Sequence, residues 1–239
     1  MLWKKKSGGR ISKIIISGFV KNSFVDYPGK ISTTVFTQGC NMNCFYCHNK
    51  HLIKSNKTGI NHKEVFDYLD KRKGLVEAVV ISGGEPTIQK GLIDFMEKIK
   101  YMGFMTKLDT NGTNPILLKY LIDNLLIDYC AMDIKTTFDK YEKVCNSKVN
   151  INNIKNTIKL LMESNIKYEF RTTCYPTITN NDIYSIIDSI KGANYYTLQK
   201  YRNIDDSDIK RIGEDEFNLK NMKNLGLEKV FEKVEYKGI

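Results

Sequence analysis

Short apolar runs alternate along this chain with longer stretches in which apolar side chains recur every three or four residues. The short runs have the length and composition of buried parallel strands, because several of them are apolar throughout. Strands are predicted at Ser32–Gln38, Ala78–Ser82, Met105–Asp109, Tyr129–Ile134, Tyr168–Thr173 and Tyr195–Gln199. The longer stretches have the spacing of amphipathic helices, as in Ile151, Ile154, Ile158 and Leu161.

The repetition of strand and helix, in units of about 30 residues, predicts an α/β fold with parallel strands and right-handed crossovers. Six such units are too few for a closed barrel, which takes eight units and about 250 residues. We therefore expect an open, partial (β/α)6 barrel whose functional loops lie at the carboxyl ends of its strands. Since no repeat or linker divides the chain, we expect one domain over residues 1–239, with a core at about 14–202 and an extension at about 203–239.

The composition favours a reducing compartment. The chain of 239 residues is long enough to bury a core without disulfides, so its six cysteines are not needed as crosslinks. No apolar run reaches the roughly 18 residues of a membrane span, and residues 1–10 lack the apolar segment of a signal peptide. We therefore expect a cytoplasmic protein with no membrane partner, in which clustered cysteines bind metal or take part in catalysis.

The net charge of +10 says little about partners. Only five of the 37 basic residues are arginines, which nucleic-acid surfaces prefer for bidentate contacts, and most of the lysines are scattered along the chain. A solvated, lysine-rich surface is therefore favoured over a site for nucleic acid or for an acidic partner.

Three cysteines follow the first predicted strand with the spacing C-x3-C-x2-C, at Cys40, Cys44 and Cys47. Three thiolates in so short a loop can surround one face of a small metal cluster. A structural zinc site would need a fourth ligand, for which the adjacent His48 is the candidate. A [4Fe–4S] cluster usually takes four cysteines, so three would leave one iron open to a substrate ligand.

Polar motifs follow four other predicted strands at the same end of the sheet. They are Gly83, Gly84 and Glu85 after the second strand, Asp109, Thr110 and Asn111 at the third, Asp133 and Lys135 at the fourth, and Arg171 at the fifth. Glycines let backbone approach a ligand closely, and a carboxylate beside them can accept from an ammonium group. Each motif alone is compatible with a turn or an ion pair, but their shared position is what an open barrel with a ligand at its mouth predicts.

Together, the strings FTQGCNMNCFYCHN, VVISGGEP, KLDTNG and AMDIK resemble the radical S-adenosylmethionine (SAM) enzymes, and among them the activating enzymes of glycyl radical enzymes. The likeness extends from about Ile14 to Arg202 and is greatest to the longer type of anaerobic ribonucleoside-triphosphate reductase activating proteins. It implies that Cys40, Cys44 and Cys47 hold a [4Fe–4S] cluster whose open iron binds SAM. It also implies reductive cleavage of SAM to a 5′-deoxyadenosyl radical, which takes a hydrogen atom from a backbone glycine of the reductase.

The resemblance implies roles for the other motif residues. The implied cofactor-binding residues are Tyr46 against the adenine, Gly83, Gly84 and Glu85 at the SAM amino group, Asp109, Asn111, Asp133 and Lys135 near SAM, and Arg171 at its carboxylate or ribose. Asp109, Thr110 and Asp133, with a carbonyl near Ala131, would form a monovalent-cation site beside the SAM carboxylate. Gln199 and Arg202 follow the sixth strand and are candidates for the lining of the site. The segment Ser23–Lys30 resembles the D-G-P-G segment of activases, with Tyr27 in place of a glycine. The resemblance implies that it lies near the peptide substrate, although it can also be interpreted as a simple turn before the first predicted strand.

The implied partners are a glycyl radical enzyme, foremost anaerobic ribonucleoside-triphosphate reductase, and flavodoxin or ferredoxin as the electron donor. One alternative is an activase of another glycyl radical enzyme, such as a formate-lyase type. A second is a small-molecule radical SAM enzyme such as a deazaguanine synthase, against which the DTNG and DIK strings argue. A zinc- or cluster-bearing binding module is the most distant alternative, because it would need the cysteines but not the GGEP string.

The remaining cysteines separate this chain from some activases. No cysteine lies between His48 and Ser82, so the ferredoxin-like insertion with auxiliary clusters that some activase subtypes carry there is absent. Cys130 and Cys174 lie in or next to predicted strands and are expected to pack as small apolar residues. Cys145 lies in a predicted loop and has no partner at cluster spacing, so it receives no role.

Overall fold

The computed structural model describes residues 13–54, 59–201 and 226–238. In these ranges the chain forms one eight-stranded sheet whose strands lie side by side in sequence order. The strands are β1 (Ile16–Ser23), β2 (Ser32–Thr37), β3 (Ala78–Gly83), β4 (Met105–Thr110), β5 (Tyr129–Asp133), β6 (Lys167–Cys174), β7 (Tyr195–Lys200) and β8 (Lys233–Lys237). The helices are α1 (Lys50–Ile53), α2 (His62–Lys71), α3 (Leu92–Tyr101), α4 (Pro115–Asp123), α5 (Tyr141–Cys145), α6 (Ile151–Met162) and α7 (Asn180–Ser189).

The structure confirms the open α/β fold with a parallel sheet. The six predicted strands are β2 to β7, and each end agrees with the prediction to within one residue. All of these strands pair in parallel, whereas β1 pairs with β2 in the antiparallel sense. The sheet does not close in the described part of the chain, because β1 and β8 are its two edges.

The two edge strands were not predicted from the sequence. β1 is mostly half-buried or exposed, and β8 has the sequence KVEYK, with three charged residues among five. Edge strands lack a neighbour on one side, so they do not need the continuous apolar run that marks a central parallel strand. β8 pairs in parallel with β7, which assigns a structural position to part of the predicted C-terminal extension.

Side chains alternate between two very different faces of the sheet. One face packs under the helices and is apolar, with Ile81, Leu108, Met132 and Phe170 in the same core cluster as residues of α3 and α6. The opposite face has small apolar groups, tyrosines and charged side chains. Because successive side chains of a strand point to opposite faces, charged residues two apart on one strand lie on the same face.

The segment Asp26–Lys30 forms the connection between β1 and β2. Since β1 runs antiparallel to β2, this connection lies at the amino ends of the parallel strands, opposite to the cysteine loop. The carboxylate of Asp26 accepts a hydrogen bond from the Thr34 hydroxyl at 2.6 Å, which ties the turn to β2. The proximity of this segment to a peptide substrate stays a prediction, and Arg202 lies outside the described residues.

Candidate active site

The cysteine loop begins at the carboxyl end of β2 and is held by backbone hydrogen bonds to two helices. On one side, amides at the start of the loop donate to carbonyls of α1. On the other side, the amide of Asn43 donates to the carbonyl of Cys145 at 2.9 Å. The amide of Phe45 donates to the carbonyl of Val144 at 3.3 Å. The three cysteines are therefore presented from one loop anchored at the strand ends.

Backbone donors and one cation lie around the three thiols. The amide of Met42 donates to the sulfur of Cys40 at 3.4 Å, and the amide of Asn49 donates to the thiol of Cys47. The ammonium of Lys135 lies near enough to favour the charged form of each thiol. Amide donors and a cation stabilise the thiolate, which is the form that binds metal. These donors would stabilise the thiolates of a bound cluster, but the cluster stays a prediction, because no three His, Cys, Asp or Glu among the described residues are arranged as a metal-binding group.

The three thiols differ in acidity. Burial raises the pKa of Cys40 to about 11 and also raises the pKa of Cys47. The pKa of Cys44 is lowered to about 7, because a hydrogen bond from the thiol of Cys145 favours its thiolate more than burial disfavours it. The prediction that Cys145 lies in a loop is wrong, because it is the last residue of α5, where it lies beside the predicted cluster ligand Cys44.

The end of β3 packs against the start of the cysteine loop at Gly83 and Gly84. A Cβ on Gly83, which has φ of +111°, would lie 2.4 Å from the amide nitrogen of Thr37. A Cβ on Gly84 would lie 2.0 Å from the carbonyl oxygen of Gly39. No side chain fits at either position. The close approach expected here between glycine backbone and a ligand is, in this structure, an approach between two protein backbones.

Glu85 is fully buried and its carboxylate joins three segments of the site. Its Oε1 accepts from the amide (3.0 Å) and hydroxyl (2.5 Å) of Thr87 and from the hydroxyl of Thr110 (2.8 Å). Its Oε2 accepts from the amide of Asn111 at 2.6 Å. Burial raises the pKa of the Glu85 carboxyl above its usual value, although these donors oppose the rise. Both oxygens are thus engaged by the protein itself.

Asn111 connects the loop after β4 to the cysteine loop. Its amide group donates to Oδ1 of Asn41 at 2.8 Å, and the amide group of Asn41 donates to the hydroxyl of Thr113 at 2.9 Å. The Oδ1 of Asn111 accepts from the Thr113 hydroxyl at 2.7 Å, which closes the ring of contacts. Asn111 therefore lies at the predicted site as a link between two of its loops.

Arg171 lies between the two aspartates at the strand ends. Its Nη1 is 3.2 Å from Oδ2 of Asp109, and its Nε is 2.9 Å from Oδ1 of Asp133. Lys107 Nζ is 2.9 Å from the other oxygen of Asp109, and Lys135 Nζ is 2.8 Å from the other oxygen of Asp133. Burial would raise the pKa of both aspartates, but the charges of Arg171 and the lysines hold it below its usual value. The structure thus brings the predicted charged residues together.

Lys107 and Glu169 belong to this charged cluster although sequence reasoning did not assign them to it. Lys107 is 2% exposed and Glu169 is 0% exposed. Their Nζ and Oε1 atoms are 3.7 Å apart, and the other oxygen of Glu169 accepts from the Thr197 hydroxyl at 2.9 Å. The available signal was their spacing, because each lies two residues before a predicted site residue on the same strand and so on the same face.

Tyr46 is almost fully buried and packs against protein aromatics. Its ring stacks on Tyr175 with centroids 4.8 Å apart and an interplanar angle of 15°. Phe45 meets both rings edge-on, and the Tyr46 hydroxyl donates to the carbonyl of Lys135 at 3.5 Å. The predicted contact between Tyr46 and an adenine stays a prediction. Tyr175 was missed, because only the fold brings it to the cysteine loop.

The structure also places the remaining candidates. Cys130 and Cys174 lie in the apolar core, which confirms their predicted packing. The His48 ring lies 5.3 Å from the Tyr201 ring, and Gln199 is on β7, half-buried. Among the described residues, no helix has the length and apolar character that crossing a membrane requires.

Comparisons with known proteins agree with this geometry. Residues 34–190 match the radical SAM superfamily. The chain is 39% identical over 208 residues to a protein of Methanocaldococcus jannaschii provisionally named glycyl-radical enzyme activating enzyme MJ1227, covering 84% of this chain and 86% of that protein. It is 28% identical to the pyruvate formate-lyase-activating enzyme of Clostridium pasteurianum, over 92% of this chain and 93% of the relative. It is 31% identical to the pyruvate formate-lyase 1-activating enzyme of Escherichia coli, over 70% of each.

Solved structures share the fold at low sequence identity. SuiB of Streptococcus suis superposes with a TM-score of 0.60 at 15% identity, covering 83% of this chain and 46% of SuiB. The structure of anSMEcpe with bound AdoMet gives a TM-score of 0.53 at 15% identity, covering 70% of this chain and 50% of that protein. The chain therefore spans about half the length of these two proteins, and the likeness concerns the fold.

Proposed function

Because this chain belongs to the radical SAM superfamily and is homologous to glycyl-radical enzyme activating enzymes, we propose that it activates anaerobic ribonucleoside-triphosphate reductase. The reaction would remove a hydrogen atom from a backbone glycine of the reductase and leave a glycyl radical. Membership of the family implies a [4Fe–4S] cluster and SAM. The observation that carries the proposal is the anchored loop of three cysteines at the carboxyl ends of a parallel sheet, beside a cluster of buried charges.

In this proposal Cys40, Cys44 and Cys47 hold the cluster, and Lys135 with the neighbouring backbone amides stabilises their thiolates. When bound, the cluster supplies the electron that cleaves SAM. The loop keeps Cys44 almost fully buried against Cys145, which limits access of water to that ligand.

The charges at the strand ends match the charged groups of the SAM amino-acid moiety. Arg171 and Lys135 would bind its carboxylate, and backbone carbonyls beside Gly83 and Gly84 would accept from its ammonium. Glu85 is already engaged by four donors. We therefore propose that Glu85 acts as a positioning residue, which holds the loops that bind SAM.

The open sheet gives a partner protein a route to this site. In a closed barrel the strands would surround the lumen, whereas in the described part of this chain β1 and β8 each have a strand neighbour on one side only. A glycine-bearing loop of a large enzyme could enter between these edges. Flavodoxin or ferredoxin is proposed as the electron donor. The anaerobic ribonucleotide reductase is the first choice because the strings DYPGK and KLDTNG resemble its longer activating proteins.

A formate-lyase type enzyme is the second candidate partner. It is favoured by the similarity of this chain to pyruvate formate-lyase activating enzymes over 92% and 70% of its length. The two candidates use the same chemistry and differ only in the surface that docks on the activase, which no motif encodes.

Electron paramagnetic resonance distinguishes these candidates. The reconstituted protein, SAM and a reductant are incubated without oxygen with each purified partner, and with a partner whose target glycine is replaced by alanine. We expect a glycyl doublet with the reductase and none with the alanine partner. A doublet only with the formate-lyase enzyme would replace the first choice. SAM cleavage without any protein radical would favour a small-molecule substrate. Zinc without iron in the purified protein would refute the proposal that the cysteines bind a [4Fe–4S] cluster.

A further inference from the structure

The family resemblance predicts a monovalent cation between Asp109, Thr110 and Asp133, and the structure places other groups there. Each of the four carboxylate oxygens of the two aspartates has a cationic protein partner within 3.2 Å. Arg171 contacts one oxygen of each aspartate and so bridges them. Lys107 contacts the other oxygen of Asp109, and Lys135 contacts the other oxygen of Asp133. A cation at this site would lie beside these cationic groups and would compete with them for the same oxygens.

The third predicted ligand is also engaged elsewhere. The hydroxyl of Thr110 donates to Oε1 of Glu85 at 2.8 Å, and the same hydroxyl accepts from the amide of Gly112 at 3.2 Å. The residues present therefore do not fit a cation site.

The carboxylates and cations that contact each other directly in this cluster are equal in number. Three carboxylates, Asp109, Asp133 and Glu169, face three cations, which are Lys107, Lys135 and Arg171. On β8, the pair Glu235 and Lys237 adds one charge of each sign. A fourth buried carboxylate, Glu85, lies beyond the Thr110 hydroxyl and is held by hydrogen-bond donors of Thr87, Thr110 and Asn111 rather than by a cation.

Lys107 is the residue that completes this balance. Its side chain is 2% exposed, and Nζ lies 2.9 Å from Asp109 and 3.7 Å from Glu169. Without it, Asp109 would keep only Arg171 as a cationic partner, and Glu169 would keep only the more distant Lys237, whose Nζ is 4.0 Å from Oε2. A buried ammonium held by two carboxylates is a fixed substitute for a bound monovalent ion of the same charge.

We propose that the ammonium of Lys107, together with the guanidinium of Arg171, takes the place of a monovalent cation in this protein, so that its stability and SAM binding do not depend on potassium or sodium. The part of the inference that concerns SAM rests on the proposed function. The part that concerns the charge cluster does not, because it can be measured on the protein without SAM.

The first experiment compares the thermal stability of the wild-type protein in potassium, sodium and tetramethylammonium chloride at equal ionic strength. We expect the same melting temperature in all three salts, because general screening is matched and no ion-specific site is present. A melting temperature that rises specifically with potassium or sodium, and saturates with their concentration, would overturn the proposal. Failure of the protein to bind SAM would count against the proposed function but would leave this measurement intact.

The second experiment measures SAM binding by calorimetry on the reconstituted holoenzyme, with Lys107→Met and the exposed control Lys119→Met. The wild type and Lys119→Met should bind SAM with dissociation constants that agree within about twofold in the three salts. Lys107→Met should bind about tenfold more weakly in tetramethylammonium, a change of about 1.4 kcal/mol, and potassium or sodium should restore part of the affinity.

Lys107→Arg keeps the charge, and we expect it to remain independent of the salt. If Lys107→Met does not fold, the wild-type salt comparison and Lys107→Arg decide. A folded Lys107→Met that binds SAM as the wild type does in every salt would overturn the proposal.

Discussion

The carboxylate of Glu85 holds the loop after β3 to the loop after β4, and its removal should destabilise the protein. In the Glu85→Gln variant, one of the two oxygens becomes an amide that can only donate. Wherever that amide points, it faces a backbone amide donor, either that of Asn111 or that of Thr87. The variant therefore loses a charge-assisted hydrogen bond and leaves a buried N–H without an acceptor.

The size of the effect can be worked out from these contacts. A hydrogen bond to a charged group contributes about 1.5–3 kcal/mol, and an unsatisfied buried donor costs about 1–3 kcal/mol. Part of this loss is offset because a neutral side chain is easier to bury, which is also why burial raises the pKa of Glu85. We expect a net loss of about 3 kcal/mol, which lowers the melting temperature of a domain of this size by about 6–12 °C.

The assay is urea and thermal unfolding of the cluster-free protein, followed by circular dichroism under reducing conditions. The matched control is Glu64→Gln, which removes an exposed carboxylate in the first turn of α2 and should change stability by no more than about 0.5 kcal/mol. A Glu85→Gln protein that melts within about 2 °C of the wild type, in a range where about 1 kcal/mol gives 2–4 °C, would refute the structural role of this carboxylate.

Two further predictions concern the cysteine loop. Gly84→Ala should abolish cluster incorporation and lower solubility, because its Cβ would lie 2.0 Å from the Gly39 carbonyl oxygen. The control Gly18→Ala, whose Cβ would have nothing within 4 Å, should retain iron and sulfide at the wild-type level. Equal iron content in the two variants would contradict this prediction. Cys145→Ala should raise the pKa of Cys44 from about 7, since it removes the hydrogen bond that favours the thiolate. Alkylation of Cys44 in the cluster-free protein, followed by mass spectrometry from pH 6 to 9, should then shift to higher pH, and an unchanged profile would refute the contact.

The sequence predicted most of the sheet because the relevant signal is local. Central parallel strands are buried on both faces and so appear as continuous apolar runs, which located β2 to β7 to within one residue. β1 and β8 escaped prediction because an edge strand is stabilised by pairing with one neighbour and needs no such run. The charged sequence of β8 has strand character only because β7 lies beside it.

The candidate site divides in the same way. The three cysteines lie in one short loop, so their spacing alone predicts that they act together. The roles of Glu85 and Lys107 depend on partners that are distant in sequence: Glu85 accepts from residues 25 and 26 positions away, and Lys107 faces Glu169 from another strand. A pattern search assigns such residues by motif and does not show which of their atoms are already engaged.

For this protein, then, the sequence alone determined the open α/β fold, the cysteine loop and the family of chemistry, because these depend on the order and spacing of residues along short segments. Only the tertiary structure decided that Gly83 and Gly84 accommodate protein backbone and that Cys145 contacts Cys44. It also decided that Arg171 and Lys107 fill the space between the carboxylates. The physical reason is that packing and electrostatic balance are set by distances across the sheet, and adjacent strands bring together groups that many residues of chain separate.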